Sequence, residues 1–140
     1  MTRVMAQGTF DLLHPGHVHY LEESAALGDD LHVVIARDSR KRGEGKEPVM
    51  PEDARRAVVA ALEVVDTAVL GSEDSIFDTV EQVDPDIITL GHDQGRDEEE
   101  LAWALADHGF PDVAVRRMPA YTGTVSSSTE LRRRAAERDV

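Results

Sequence analysis

Five short apolar runs, at residues 4–6, 31–36, 68–70, 87–90 and 113–115, alternate with helical patterns along these 140 residues. Several of the runs are continuously apolar, as strands buried on both faces of a parallel sheet must be. The segments between them carry helix signals. Val18, Leu21 and Ala25 share one face of a first helix that stops at Gly28, and a second opens at Pro51-Glu52-Asp53. Ser75, three residues before Asp78, opens a third helix with Ile76, Val80 and Val83 inward, which must end before Pro85. Asp97, Glu98, Glu99 and Glu100 form the first turn of a fourth, striped by Leu101, Ala104 and Leu105 and closed by Gly109. A last helix begins near Ser127, with Glu130 as its capping-box partner. Strict β-α alternation predicts a doubly wound α/β fold around one five-stranded parallel sheet. With no repeat or linker visible, residues 1–140 read as one domain.

The charge balance narrows the partners. Twenty-eight acids against fifteen bases give a net charge of −13, and only Lys41 and Lys46 among the bases are lysines. Such acidity opposes binding to nucleic acid and to anionic membranes. The acids are spread over the helices and do not form a disordered tail. An acidic, lysine-poor surface suits a protein that stays soluble in a halophilic cytoplasm. The absence of cysteine, of a signal-peptide pattern and of an apolar run long enough to cross a bilayer points to the cytoplasm as its location.

The chemistry concentrates in Gly8-Thr9-Phe10-Asp11-Leu12-Leu13-His14-Pro15-Gly16-His17, which follows the first strand and opens the first helix. Free amides and the positive end of the dipole make a helix opening a phosphate site. His14 and His17, three residues apart, project from one face of the turn. Neither a P-loop nor a dinucleotide fingerprint is present. Loops leaving the carboxyl ends of parallel strands converge on one site, which adds residues 37–48, 91–96 and 118–128 to the histidine loop.

GTFDLLHPGH near the start and SSSTELR near the end resemble the nucleotidyltransferases of the HxGH-signature superfamily, whose fold is Rossmann-like. Within it, ARDSRKRGEGKEPVMPEDARRAVVAAL, DTAVLG, and PDIITLGHDQ followed by DEEEL are similar to the archaeal FAD synthases, single-domain FMN adenylyltransferases. The resemblance implies ATP and FMN as substrates, a homodimer, and magnesium or another divalent cation carried mainly on the ATP phosphates rather than in a protein metal site. It places Thr9, Phe10, Pro15 and Gly16 against the nucleotide, and His14 and His17 on its α- and β-phosphates. Lys46 matches a loop lysine that closes over the triphosphate. Asp93 and Tyr121 match nucleotide-binding positions, and Ser127, Ser128, Thr129 and Arg132 match a hydroxyl-rich helix start that binds the β- and γ-phosphates.

Competing readings stand beside these. Ser127 suits a helix N-cap, Lys46 a solvated loop charge, Asp93 a cap for the acidic helix, and residues 132–134 a charge cluster answering a helix dipole. Asp11 can orient its loop instead of touching substrate, and Asp11 and Asp38 are candidate outer-sphere partners of the cation. His19, His32 and His108 read as packing or surface residues, and His92 stands where the family commonly has tyrosine. No aromatic clamp for a flavin ring is evident, and Trp103 reads as packing or an interface contact.

The implied reaction is attack of the FMN phosphate on the α-phosphorus of ATP. The nucleophile is already anionic, so the protein must align two phosphates and absorb charge. One rival is a CTP-dependent cytidylyltransferase acting on glycerol 3-phosphate or a phospho-alcohol. Its signature Arg-Thr-x-Gly-Ile-Ser-Thr-Thr meets Tyr121-Thr122-Gly123-Thr124-Val125-Ser126-Ser127-Ser128 here, without the arginine. Another is a non-catalytic nucleotide sensor, against which both intact histidines and the hydroxyl run argue.

Overall fold

The computed structural model describes residues 1–122, 133 and 135–137. The start of the expected last helix and the site candidates Ser127, Ser128, Thr129 and Arg132 lie outside the described residues, while residues 133 and 135–137 are helical. Five strands, β1 (Arg3–Gly8), β2 (Asp30–Ile35), β3 (Thr67–Leu70), β4 (Ile87–Leu90) and β5 (Ala114–Arg117), form one sheet in the order β3-β2-β1-β4-β5. Every pairing is parallel. The chain therefore reverses direction across the sheet between β1 and β4, the switch point at which such sheets open a crevice.

Helices α1 (Pro15–Ala25) and α3 (Glu52–Ala60) cover one face, and α4 (Ile76–Val83) and α5 (Glu98–Asp107) cover the other. Val4 and Ala6 of β1 pack with Leu21 of α1 and Val59 of α3, while Met5 packs with Val80, Leu101 and Leu105. All three β1 residues are fully buried, which explains why this run is apolar without alternation. At about 25 cal/mol per Å² of apolar surface, the two clusters supply the main drive to fold.

The helix ends follow local chemistry. Ser75 caps α4 by accepting from the Phe77 amide at 3.1 Å, and Asp97 caps α5 by accepting from Glu99 and Glu100. Gly109 has φ +93° just past α5, the left-handed position that glycine fills at lowest cost. Gly28 acts differently. A Cβ there would stand 2.6 Å from the Thr2 carbonyl oxygen, so close chain approach and not a left-handed turn requires glycine.

Three local expectations are corrected. The segment 37–48, read as a loop, contains a short helix α2 (Asp38–Gly43), invisible to apolar periodicity because none of its residues is buried. The last strand runs to Arg117, since Arg117 pairs in register with Leu90. Of the two readings of Trp103, packing is overturned, since the side chain is 73% exposed on α5; the interface reading is untouched by this.

Candidate active site

The turn after β1 is tightly constrained. Phe10 and Leu12 both have φ +55°, a region that residues other than glycine rarely occupy and that costs on the order of 1–3 kcal/mol each. Three contacts hold this conformation. The Phe10 ring is buried against Tyr20, and a Cβ on Gly8 would fall 2.9 Å from that ring, so the glycine makes room for it. The Thr9 carbonyl accepts from Arg55 Nη1 at 2.8 Å. The Asp11 carboxylate accepts from the Val49 and Met50 amides at 2.8 and 2.9 Å. Asp11 thus binds the histidine loop to residues 49 and 50.

The two histidines cap α1 reciprocally. His14 Nδ1 accepts from the Gly16 amide at 3.1 Å, and His17 Nδ1 accepts from the His14 amide at 3.3 Å. A ring nitrogen that accepts carries no proton, so in each neutral ring the proton sits on Nε2. The rings stack with centroids 3.8 Å apart, and the Phe10 edge meets His17 at 5.3 Å. Burial, reinforced by the His14 charge, lowers the His17 pKa to about 4. Neutral, Nε2-protonated imidazole is therefore the form of His17 near neutral pH.

That shift has a measurable sign. Between pH 6.5 and 4 the unfolded chain binds a proton on this ring that the folded site excludes. Stability is consequently full above the unfolded value and falls as pH drops through this window, by about 2–3 kcal/mol for this ring alone. His17→Asn, whose amide oxygen can replace Nδ1 as the cap acceptor, is expected to flatten this part of the curve. Urea titrations of both proteins from pH 7 to pH 4 measure the difference.

A cavity of about 720 Å³ opens at this switch point, lined by Thr9, Phe10, His14, Gly16, His17, Lys46 and Asp93 among others. It brings together seven of the site candidates read from the sequence. Pro15 and Tyr121 stand elsewhere: they line a shallower depression of about 470 Å³ on the outer side of α1, which His14 also borders. Tyr121 packs there against His19, ring centroids 5.6 Å apart. Asp93 does not cap α5, because Asp97 does. His92 lines the cavity, and His32 and His108 have the packing roles expected, on Asp30 and on the Phe77 ring.

Several supporting groups were not legible beforehand. Arg55, fully buried, donates to the carbonyls of Thr9, Ala36 and Met50 and to Asp38 Oδ1 at 2.6 Å. Its guanidinium holds the Asp38 carboxyl below the ordinary value. Asp38 Oδ2 also accepts from the Glu52 amide, so Asp38 anchors the start of α3 through both oxygens. Asp11, with both oxygens on backbone amides, takes the loop-orienting role, one of its two readings. Gln94 spans the switch point, accepting from the Gly91 amide and donating to the Gln7 carbonyl. Arg117 donates to the carbonyls of Gly91, Gln94 and Arg96 and so holds the loop bearing Asp93.

Beneath the cavity, the Tyr20 hydroxyl donates to the Thr89 carbonyl at 2.9 Å, and Ser24 and Thr89 share a buried bond at 2.8 Å. Burial raises the Tyr20 phenol, which stays protonated. The signal was a hydroxyl in each of two apolar stripes, Ser24 in the first helix and Thr89 in the fourth strand.

Residues 5–134 match the cytidylyltransferase-like family model. The chain is 49% identical to the FAD synthase of Halalkalicoccus jeotgali, with 99% of each chain covered. It is also 49% identical to the FAD synthase of Thermoplasma volcanium, over 98% of this chain and 96% of that one. A crystal structure described as a lipopolysaccharide core biosynthesis protein, from Thermoplasma volcanium GSS1, superposes with a TM-score of 0.84 at 51% identity. It covers 86% of this chain and 98% of its own.

Proposed function

The chain belongs to the cytidylyltransferase-like family, and from that premise we propose that it is an FAD synthase, transferring AMP from ATP to FMN with release of pyrophosphate. The observation that carries nucleotidyl transfer is the reciprocal His14–His17 cap, which sets two Nε2-protonated imidazoles at the positive end of α1 on the cavity wall. FMN as acceptor rests on the relatives named FAD synthase, which align with this chain almost end to end.

In this reading a phosphate oxygen of FMN forms a bond to the α-phosphorus. The bond from that phosphorus to the bridging oxygen breaks, and its electron pair leaves on pyrophosphate. His14 and His17 donate to the α- and β-phosphates, where charge builds up in the transition state. The Gly16 amide is occupied by His14 Nδ1, so the contribution of α1 there is its dipole and the imidazoles it positions. Lys46 lines the cavity as a cation for the triphosphate, and Asp93 faces the nucleotide from the β4 side. Tyr121 and Pro15 serve the nucleotide only from the outer side of α1. Ser127, Ser128, Thr129 and Arg132 are assigned to the β- and γ-phosphates.

Magnesium, or another divalent ion, enters on the triphosphate as part of the substrate and keeps several waters. Among the described residues no group of three His, Cys, Asp or Glu side chains is placed to hold a metal ion. Among the described residues, no helix is long and apolar enough to cross a membrane. We place the protein in the cytoplasm as a homodimer, without nucleic acid as a partner.

The test is incubation of the purified protein in high potassium chloride with magnesium, FMN and either ATP or CTP, followed by chromatographic separation of the flavins. FAD with ATP is the expected product. Absence of FAD, together with formation of CDP-glycerol from CTP and glycerol 3-phosphate, would replace this reading by the cytidylyltransferase one. Nucleotide binding without product in either arm would leave a sensor.

A further inference from the structure

The β1–β4 ladder stops early. Val4 pairs with Ile87 and Met5 with Ile88, while β1 continues to Gly8, so the two strands part at the histidine cavity. The chain leaving β4 folds at once into a turn over residues 91–94, closed by the Gln94 amide donating to the Gly91 carbonyl at 3.2 Å. His92 and Asp93 form its tip, and Asp93 lines the cavity. Left to itself, an exposed connection of this kind samples many conformations.

Two side chains remove that freedom. Gln94 closes the turn a second time, its Oε1 accepting from the Gly91 amide at 3.0 Å. Its Nε2 donates across the parted strands to the Gln7 carbonyl at 3.1 Å. Arg117, in register with Leu90 on the neighbouring strand, grips both ends of the turn. Its Nη1 donates to the carbonyls of Gly91 and Gln94 at 2.8 and 2.9 Å. Nη2 donates to the Arg96 carbonyl and Nε to Glu98 Oε1 at 2.6 Å, so the guanidinium is itself fixed to the start of α5.

Resting on the FAD synthase reading, which sets Asp93 against the nucleotide, we infer that Gln94 and Arg117 are positioning residues for nucleotide binding: they hold the 91–94 turn so that the Asp93 carboxylate is preset in the crevice. The tolerance for this group is narrow. A carboxylate only accepts hydrogen bonds, so it gains from hydroxyl or amino donors of the nucleotide and is repelled by the phosphates beside them. The Asp93 charge also acts on His17, opposing part of the lowering that burial imposes on that ring. A shift of about 1 Å trades attraction for repulsion, and misplacements of that size can cost about a hundredfold. Fixing the turn in advance removes its ordering cost from binding. Arginine suits such a grip, because a planar fork serves several carbonyls at once and an ammonium does not.

Gln94→Met, similar in length and without either bond, and Arg117→Lys, which keeps the charge and loses the fork, test the inference. Nucleotide binding is read by calorimetry with α,β-methylene ATP, and KM and kcat by FAD formation. Each variant is expected to weaken binding and raise the KM for ATP by about tenfold, with kcat within about threefold. Added to Asp93→Ala, either change is expected to cost less than about twofold more, because its target is already gone. Wild-type affinity in both single variants would overturn the inference. So would an undiminished loss on top of Asp93→Ala, which would mean that these side chains act independently of Asp93, or an Asp93→Ala protein that binds like the wild type. Thermal melting followed by circular dichroism checks folding, and Gln94→Met, at a partly exposed loop position, carries the test should Arg117→Lys unfold. Wild-type protein that binds the analogue and forms no FAD overturns the activity alone, and the binding cycle still decides the role of Gln94 and Arg117.

Discussion

His17→Asn is expected to lower kcat by about two to three orders of magnitude, the usual cost of deleting one donor aimed at transition-state charge. The asparagine oxygen can stand where Nδ1 accepts from the His14 amide, so the helix cap survives while the Nε2 donor is lost. ATP affinity, which depends on many contacts, is expected to change by less than about tenfold. His17→Gln offers the opposite exchange, with an amide nitrogen near the Nε2 position and a weakened cap. It is expected to retain more activity than the asparagine variant while melting at a lower temperature. His14→Asn is expected to behave like His17→Asn, because the two rings form one capped pair. Steady-state kinetics alongside circular dichroism separate rate from folding. Full activity in both asparagine variants would refute the histidine mechanism.

The largest stability effect is expected at Arg55. Arg55→Met removes a fully buried guanidinium and leaves Asp38 Oδ1 and the carbonyls of Thr9, Ala36 and Met50 without the donor it supplies, Asp38 keeping only the Glu52 amide. Breaking one side of a buried ion pair costs about 3–5 kcal/mol. Arg55→Lys is expected to recover only part of this, because an ammonium cannot match a planar fork that serves three carbonyls and a carboxylate. Adding Asp38→Asn to Arg55→Met removes the stranded charge and is expected to restore stability relative to the single variant. Urea unfolding at fixed salt measures all three. An Arg55→Met protein within about 0.5 kcal/mol of wild type would show that the guanidinium anchors nothing.

Arg55 also marks how far the sequence could be read. Its position inside an acidic helix opening, Pro51-Glu52-Asp53-Ala54-Arg55-Arg56, is indistinguishable from a surface charge such as Arg56. Only the tertiary path of residues 9, 36 and 50 brings three carbonyls around one of the two arginines. Gln94 and Arg117 were hidden for the same reason: their partners are backbone groups on other elements. Helix α2 escaped notice because a helix that buries nothing leaves no apolar stripe. By contrast, Ser75 and Gly109 stand where the sequence places them, since a cap bonds within its own turn and its signal is local, while Asp97, expected inside the first turn of α5, is its N-cap.

The sequence by itself determined the β-α alternation, the parallel buried sheet, the helix ends and the placing of two histidines at the first of them. Those properties follow from periodicity and from interactions spanning a few residues, which composition and spacing encode directly. The tertiary structure alone decided the strand order β3-β2-β1-β4-β5 and the crevice beside β1 with the two imidazoles on its wall. It also moved Tyr121 to the outer side of α1 and gave Asp11 and Asp38 their anchoring partners. These depend on which distant segments share a strand edge or a buried guanidinium, and that pairing is set by the packing of whole faces rather than by any one stretch of chain.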